Sequence, residues 1–171
     1  VLTPLDPEAV EEGATRLREA GVDAVAICFL HAYRYPDHER KAGEIVRQIL
    51  PNAFVSLSSD VLSEFREYER SSTTAVNAYI GPRMKSYIGQ FENRIKKIGV
   101  ERHPNIIHSK GGLLTVDAAA TYPVRTCLSG PAAGVVGAAA VAKASGYPDI
   151  LAFDVGGTST DVSLVLGGRP L

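Results

Sequence analysis

The feature that most constrains the fold is the eight-residue stretch from Asp154 to Asp161, which reads DVGGTSTD. Apolar residues precede it over 150–153 and follow it over 162–166. Two apolar runs joined by a glycine-rich turn predict a β-hairpin. An ordinary hairpin turn needs neither the three hydroxyl residues nor the two carboxylates of this stretch. The composition of the turn is instead typical of a phosphate site.

The two glycines predict an anion site at the tip of the hairpin. Gly156 and Gly157 lack a Cβ, so their backbone can adopt unusual dihedral angles and approach a ligand closely. The N–H groups of Gly156, Gly157 and Thr158 are then expected to converge on one concavity that binds phosphate. The hydroxyls of Thr158, Ser159 and Thr160 add further donors. The alternative is a buried hairpin whose glycines serve only the turn.

The two flanking carboxylates are candidates for a different task. Asp154 and Asp161 repel a phosphate group, so neither is expected to bind it directly. They are expected to hold Mg²⁺ or its water shell, because Mg²⁺ prefers oxygen ligands and usually keeps several waters. We therefore assign Asp154 and Asp161 to catalysis and metal binding.

An α/β crossover is predicted well before the hairpin. Residues 22–30 form a nearly continuous apolar run, which is typical of a strand buried on both faces of a parallel sheet. Cys28 lies inside this run and is expected to be buried. A helical pattern over 39–50 and a second strand pattern over 53–57 follow. This alternation predicts a right-handed crossover and an α/β fold whose mixed sheet is mostly parallel.

A long helical region follows the crossover. Glu67 and Arg70 stand at helical neighbour spacing, which predicts a solvated ladder of ion pairs. The Gly81-Pro82 step is expected to kink or break the helix. The apolar stripe over 84–98, with positions three to four residues apart, is expected to be core. Residues 58–60 are expected to form a loop.

A second helix, over 132–144, consists almost entirely of Ala, Val and Gly. So few side-chain atoms indicate close packing on a sheet or on another helix, with Gly134, Gly137 and Ala138 on the packed face. Ser129 or Gly130 is expected to cap this helix, with Pro131 at its first position.

Several polar residues give weaker signals. His31 and His38 follow the first strand, and a loop that starts a helix explains them better than a metal site does. Lys110 precedes a second glycine pair, for which a plain turn and a ligand contact are equally favoured. Arg125 is a weak candidate for an anion contact, and a surface ion pair explains it better.

Composition excludes several classes of function. The net charge of −1 gives no electrostatic case for binding nucleic acid or an anionic membrane. No apolar run reaches the roughly 20 residues of a membrane-spanning helix, and no signal peptide is visible. Two cysteines are too few for a disulfide framework, which favours a reducing cytoplasm.

The hairpin resembles a phosphate loop of the actin-like ATPase superfamily. Three longer stretches, EFREYERSSTTAVNAYIGPRM, PVRTCLSGPAAGVVGAA and FDVGGTSTDVSLV, are similar to the A subunit of the hydantoinase/oxoprolinase family. That family includes N-methylhydantoinases, ATP-dependent 5-oxoprolinases and acetone carboxylase subunits. One departure is Lys110, where family members usually have Asn. Family members are also several times longer, which predicts that this chain is an internal fragment.

The resemblance implies a ribonuclease H-like, actin-like ATPase fold. Residues 1–128 would end the first lobe, and residues 129–171 would open the second lobe with the connecting helix and the phosphate hairpin. It also implies ATP and Mg²⁺ as cofactors, a cyclic amide substrate, a B subunit of the same family as partner, and a homo-oligomer. The 171-residue piece alone is expected to fold without catalysing the reaction.

The implied reaction is ATP-dependent hydrolysis of a cyclic amide such as a hydantoin or 5-oxoproline, with the ring activated by phosphorylation. Gly156, Gly157 and Thr158 would hold the phosphates. Two alternatives stay open. One is an ATP-dependent carboxylase or kinase of the same fold, and the other is a non-catalytic nucleotide-binding assembly module.

Overall fold

A computed structural model describes residues 3–171, which divide into two units. The first runs up to Ile98 and includes Ala120–Val124; the second comprises Gly99–Ala119 and Arg125–Leu171. This division groups residues 99–119 with the hairpin, whereas the sequence-based division kept them in 1–128. The assignment of the two parts to the lobes of an ATPase stays a prediction.

The first unit contains four helices and two strands among its described residues. They are α1 (Pro7–Glu19), β1 (Ala24–Ile27), α2 (Asp37–Ile49), β2 (Phe54–Leu57), α3 (Ser58–Val61) and α4 (Glu67–Lys97). Asp6 caps α1 by accepting hydrogen bonds from the N–H groups of Glu8 and Ala9. The predicted loop over 58–60 is wrong, because those residues form the single turn α3.

The parallel strand pairing predicted for the crossover is present, and its right-handed sense stays a prediction. Strands β1 and β2 are parallel, with Ala24 opposite Phe54 and Ile27 opposite Leu57, and α2 connects them. The core lies where α1 and α2 pack on this pair, and its buried residues are Ala14, Val25, Ile27, Ala42, Val46, Leu50 and Leu57. Strand β1 is shorter than predicted and is not buried on both faces. Ala26 and Cys28 are exposed, so the prediction of a buried Cys28 is wrong.

Helix α4 runs through Pro82 without a break. A Cβ built on Gly81 would lie 2.3 Å from the ring of Phe54, so this ring packs directly on the helix backbone. Such packing supports the helix where proline removes one backbone hydrogen bond. The stripe predicted to be core is only partly so. Ile88 is buried, whereas Tyr87 is 62% exposed and Ile98 is 78% exposed.

The solvated ladder predicted at the start of α4 is wrong for Arg70, which is fully buried. Its guanidinium donates to the carbonyl oxygens of Glu64 at 3.0 Å and Phe29 at 2.8 Å. Arg66 does form a surface pair with Glu69 at 3.2 Å. The pKa of the Glu69 carboxyl lies below its usual range, because it accepts a hydrogen bond from its own backbone N–H and another from Arg66.

Glu39 is the buried acid of the same unit. Its carboxylate accepts hydrogen bonds from the Phe29 N–H at 3.0 Å, the Ser59 N–H at 2.7 Å and the Ser58 hydroxyl at 2.6 Å. The peptide groups of Phe29 are therefore held by Glu39 through the N–H and by Arg70 through the carbonyl. These two charges fix the loop that follows β1.

The second unit contains β3 (Asn105–Ile107), β4 (Leu113–Thr115), most of α5 (Val116–Thr121), α6 (Ser129–Ala144), β5 (Ile150–Val155), β6 (Thr160–Leu166) and β7 (Arg169–Pro170). Strands β3 and β4 form one antiparallel pair, and β5, β6 and β7 form an antiparallel sheet. The prediction of a mostly parallel sheet is therefore wrong. Five or fewer residues join each of these neighbouring strands, and a parallel connection needs about a dozen.

Helix α6 packs on the sheet, but its small residues are mostly uncovered among the described residues. Ala139 is the buried residue of the helix, while Gly134 and Gly137 are exposed, so the prediction of a packed glycine face is wrong. The predicted cap is also wrong. The helix begins at Ser129 after Leu128, which has a left-handed backbone and no capping side-chain bond. Pro131 then lies within the first turn, where its missing N–H costs little.

None of the helices in the described part of the chain is both long and apolar enough to cross a membrane.

Candidate functional site

The hairpin at residues 150–166 has the predicted strand pairing. In the register of β5 and β6, Asp154 faces Asp161 and Val155 faces Thr160. The turn is closed by a hydrogen bond of 2.9 Å from the Gly156 N–H to the Ser159 carbonyl oxygen. The local reason is the pair of apolar segments on both sides of a glycine pair, which favours tight reversal of the chain.

The two carboxylates are brought together by this register. Residues directly opposite each other project from the same face of a sheet, with Cβ atoms about 4.5–5.5 Å apart. Asp154 is exposed and Asp161 is half-buried, and neither carboxylate makes an ion pair or hydrogen bond with any residue in 3–171. Like charges placed directly opposite destabilise a hairpin. No positively charged side chain of residues 3–171 pairs with the two carboxylates. A bound cation would relieve their mutual repulsion.

The glycines differ from the prediction. Neither Gly156 nor Gly157 has a positive φ, so neither adopts the left-handed backbone that favours glycine. The Gly156 N–H is already bonded to Ser159, which removes it from the predicted phosphate-binding group. A Cβ built on Gly157 would meet nothing within 4 Å. The backbone that remains open to a ligand is that of Gly157 and Thr158.

The three hydroxyl residues of the turn do not form one cluster. Thr158, Ser159 and Thr160 are exposed, and within the described chain their hydroxyls have no hydrogen-bond partner. Side chains alternate along a strand, so Thr160 projects from the face opposite Asp161. Thr158 and Ser159 remain in the turn with Gly157.

Helix α6 leaves Asp154 uncovered. A Cβ built on Gly134 would lie 3.6 Å from Oδ2 of Asp154. A larger residue at 134 would therefore cover the carboxylate. The sequence predicts a packing role for Gly134, whereas the structure places it beside the carboxylate of Asp154, a candidate metal ligand.

The second glycine pair is held by the protein itself. Gly111 has a φ of +78°, and a Cβ there would lie 2.8 Å from Val136 of α6. A Cβ on Gly112 would lie 2.5 Å from Nε2 of His108. Lys110 sits at the corner of this turn, and its N–H donates to Nδ1 of His108 at 2.9 Å.

The remaining candidates are Arg125, His31 and His38. The Arg125 carbonyl oxygen accepts the Ser109 N–H at 2.8 Å, which ties it to the Lys110 turn. Helix α2 begins at Asp37, so the interpretation of His31 and His38 as a loop before a helix is supported. Among the described residues, no three acidic, histidine or cysteine side chains form a group that could hold a metal.

Comparison with known proteins identifies relatives over the whole chain. The family model described as "Hydantoinase/oxoprolinase" matches residues 70–171, and "Hydantoinase/oxoprolinase N-terminal region" matches residues 1–50. Caprolactamase subunit alpha of Pseudomonas jessenii is 37% identical over 98% of this chain and 24% of its own length. The 5-oxoprolinase of Saccharomyces cerevisiae is 36% identical over 99% of this chain and 13% of its own length.

Two solved structures are similar to it. The nucleotide-free structure of acetone carboxylase superimposes with a TM-score of 0.86 at 29% identity, over 97% of this chain and 24% of that one. The ATP-dependent caprolactamase of P. jessenii gives a TM-score of 0.80 at 34% identity, over 95% of this chain and 23% of that one. The chain thus spans about a quarter or less of the length of these relatives.

Proposed function

The chain belongs to the hydantoinase/oxoprolinase family, and on this premise we propose that it is part of an enzyme that opens a cyclic amide at the expense of ATP. The names of two relatives, 5-oxoprolinase and caprolactamase, support a cyclic amide as substrate. The proposal concerns the complete polypeptide, because the relatives are about four or more times longer.

The observation that carries the proposal is the arrangement at the hairpin tip. Asp154 and Asp161 stand opposite each other without a counter-charge, beside a turn with free backbone at Gly157 and Thr158. Unpaired acids next to exposed N–H groups suit a phosphate chain that arrives with a divalent cation. A turn with only a structural task needs neither feature.

The donor set fits Mg²⁺. Carboxylate oxygens are the ligands that this ion prefers, and it commonly takes one or two of them together with waters and phosphate oxygens. Asp154 and Asp161 would hold it, and Gly134 keeps the side of Asp154 open. When bound, the ion supplies charge neutralisation at the transferring phosphoryl group.

The chemistry follows from the inertness of an amide. Resonance makes the ring carbonyl a poor electrophile, and transfer of the γ-phosphoryl group to its oxygen removes that resonance. Water then adds to the carbon and the ring C–N bond breaks. This leaves an acyl phosphate; a second water attacks its acyl carbon, the C–O bond to the phosphorus-bound oxygen breaks, and phosphate departs with the former carbonyl oxygen. The hairpin's part is to hold the phosphates in line by the N–H groups of Gly157 and Thr158 and the hydroxyls of Thr158 and Ser159.

A second candidate is an ATP-dependent carboxylase. The higher of the two TM-scores is with acetone carboxylase, and a subunit of acetophenone carboxylase is 34% identical. Both reactions begin with phosphorylation of an oxygen, so the same hairpin serves either one. The residues that bind the molecule to be phosphorylated would decide whether the enzyme is an amide hydrolase or a carboxylase.

The fold and partners are proposed on the same basis. We infer that the complete polypeptide is an actin-like ATPase in which a second phosphate loop faces this hairpin. Caprolactamase and acetone carboxylase relatives are named as subunits, which supports a B-type partner subunit for this protein as well.

The test is the acceptor dependence of ADP release by the complete polypeptide with its partner subunit. We expect lactams to stimulate ADP release, with the ring-opened amino acid as product. Lactam labelled with ¹⁸O in the carbonyl should deliver the label to inorganic phosphate. ADP release that depends on a ketone and bicarbonate, and not on lactams, would favour the carboxylase instead.

A further inference from the structure

A cleft of about 520 Å³ lies within the second unit, between the Lys110 turn, α6 and the β5–β7 sheet. Its walls include the side chains of Ser109, Lys110, Leu128, Val135, Val136 and Ser163. The volume and the mixture of apolar and polar walls suit a small ring compound that carries polar groups. Lys110 is the one ionisable side chain among its lining residues, so the cleft favours a ligand that carries negative charge.

The turn that carries Lys110 is rigidly placed. A Cβ on Gly111 would lie 2.8 Å from Cγ2 of Val136 in α6, so a side chain there would force Val136 to move, and the φ of +78° also favours glycine. His108 holds the turn from the other side, through its Nδ1 to the Lys110 N–H and its carbonyl oxygen to the Gly111 N–H at 2.8 Å. The glycines are thus explained by packing. The lysine is not, since the described residues offer its ammonium group no ion pair.

The opposite wall contains a strained residue. Leu128 has a φ of +59° and is 79% exposed, although a leucine gains nothing locally from a left-handed backbone. Such strain persists where the surrounding structure imposes it, and it is common at binding sites. Leu128 presents an apolar side chain to the cleft at the start of α6.

The cleft adjoins the two acids of the hairpin. Ser163 lies two residues beyond Asp161 on β6, so both project from the same face with Cα atoms about 7 Å apart. On α6, Val135 lines the cleft and its neighbour Gly134 lies beside Asp154. A ring held in the cleft would therefore lie close to the hairpin acids, where the γ-phosphoryl group is proposed to be transferred to the ring's carbonyl oxygen.

We propose that this cleft binds the ring of the substrate and that Lys110 pairs with a carboxylate on that ring, which makes the enzyme selective for acidic lactams over neutral ones. The inference rests on the proposed function for the identity of the ring. Lys110 acts as a specificity-determining residue, because it contacts a substituent and not the bond that breaks.

The test uses calorimetric binding to the complete polypeptide with its partner subunit. The two probes are 5-oxoproline and 2-pyrrolidone, which share one ring and differ in the carboxylate. We expect Lys110→Gln to raise the Kd of 5-oxoproline about tenfold or more, because a charge-assisted hydrogen bond is lost, and to leave 2-pyrrolidone within about twofold. Lys110→Arg should retain the preference. The matched control is Lys143→Gln, which removes an equal charge near the other end of α6 and should bind like the wild type.

Three results would overturn the inference: an unchanged Kd for 5-oxoproline in Lys110→Gln, an equal loss for both probes, or the same loss in Lys143→Gln. Failure of the proposed function has a different signature. If Lys110 determines the affinity for 5-oxoproline but neither lactam is opened with ADP release, the binding proposal is supported and the proposed reaction is wrong. If both lactams are opened with equal affinity, the reaction stands and the role of Lys110 is wrong.

Discussion

The two glycine pairs of this chain look alike in sequence and differ in what requires them. At Gly111-Gly112 the protein's own atoms exclude a side chain, with Val136 at 2.8 Å and His108 at 2.5 Å from the two built Cβ positions. At Gly156-Gly157 the nearest atom to either Cβ is the Ser159 carbonyl oxygen at 3.5 Å, and neither residue has a positive φ. The first pair is explained by the fold, and the second is not.

This difference separates two meanings of a glycine-rich turn. Where neighbouring atoms of the protein leave no room for a Cβ, packing alone explains why the residue is glycine. A glycine whose built Cβ meets no atom is not required by packing within the described chain. Packing therefore does not account for Gly157, and the unpaired carboxylates of Asp154 and Asp161 make the 156–157 turn the stronger candidate for ligand contact.

The largest effect should come from the acids beside the open turn. We expect Asp154→Asn in the complete polypeptide to lower ATP turnover by about 100-fold or more, because charge neutralisation by a divalent cation contributes several kcal/mol to phosphoryl transfer. The control is Asp149→Asn at the base of the same hairpin, where Oδ1 accepts the Gly167 N–H at 2.6 Å and an amide oxygen can replace it. Steady-state ADP release measures both. Equal turnover in the two variants would remove Asp154 from the site.

A smaller effect should distinguish the turns by stability. Gly112→Ala forces a methyl group against His108, and overpacking of this kind costs about 1–3 kcal/mol. Gly157→Ala places its methyl group in open space, so its cost should stay within about 0.5 kcal/mol. Thermal unfolding of the two variants without nucleotide measures this difference. If both variants lose the same stability, the comparison between the turns is invalid.

The smallest effect concerns the repulsion between the opposed acids. Without Mg²⁺, Asp154→Asn should stabilise the protein by about 0.2–1 kcal/mol, since like charges directly opposite in a hairpin repel. Addition of Mg²⁺ should cancel this advantage. Unfolding in chelator and in Mg²⁺ gives the two values, and a destabilised variant in chelator would mean that Asp154 has a structural partner.

Local patterns in the sequence predicted the parts of the fold that depend on neighbours in the chain. The alternation around Asp154 and Asp161 gives the hairpin register, and the run of strand, helix and strand gives the parallel crossover. Exposure was harder to predict, because it depends on distant partners. Arg70 was interpreted as a surface ion-pair residue, yet it is buried by the loop after β1.

The sequence contains a signal for the buried polar groups of α4. Arg70, Thr74 and Asn77 are spaced four and three residues apart, which places them on one face of α4, and all three are buried. Asn77 donates to the Ser56 hydroxyl at 3.0 Å and accepts the Val124 N–H at 3.1 Å. A polar stripe with helical spacing therefore predicts a buried hydrogen-bonded face as well as a solvated one. The sequence predicts which residues lie at the hairpin tip. It does not show that the Gly156 N–H is bonded to the Ser159 carbonyl oxygen, because that bond depends on the conformation of the turn.

The central claim is that the space beside Gly157 is where the nucleotide phosphates lie. The most direct measurement is calorimetric binding of Mg·ATP to the complete polypeptide and its Gly157→Ala variant, with Gly13→Ala as control for a glycine that also has no atom within 4 Å. The account predicts that Gly157→Ala raises the Kd about tenfold or more without loss of thermal stability, while Gly13→Ala binds like the wild type. An unchanged Kd in Gly157→Ala would contradict it.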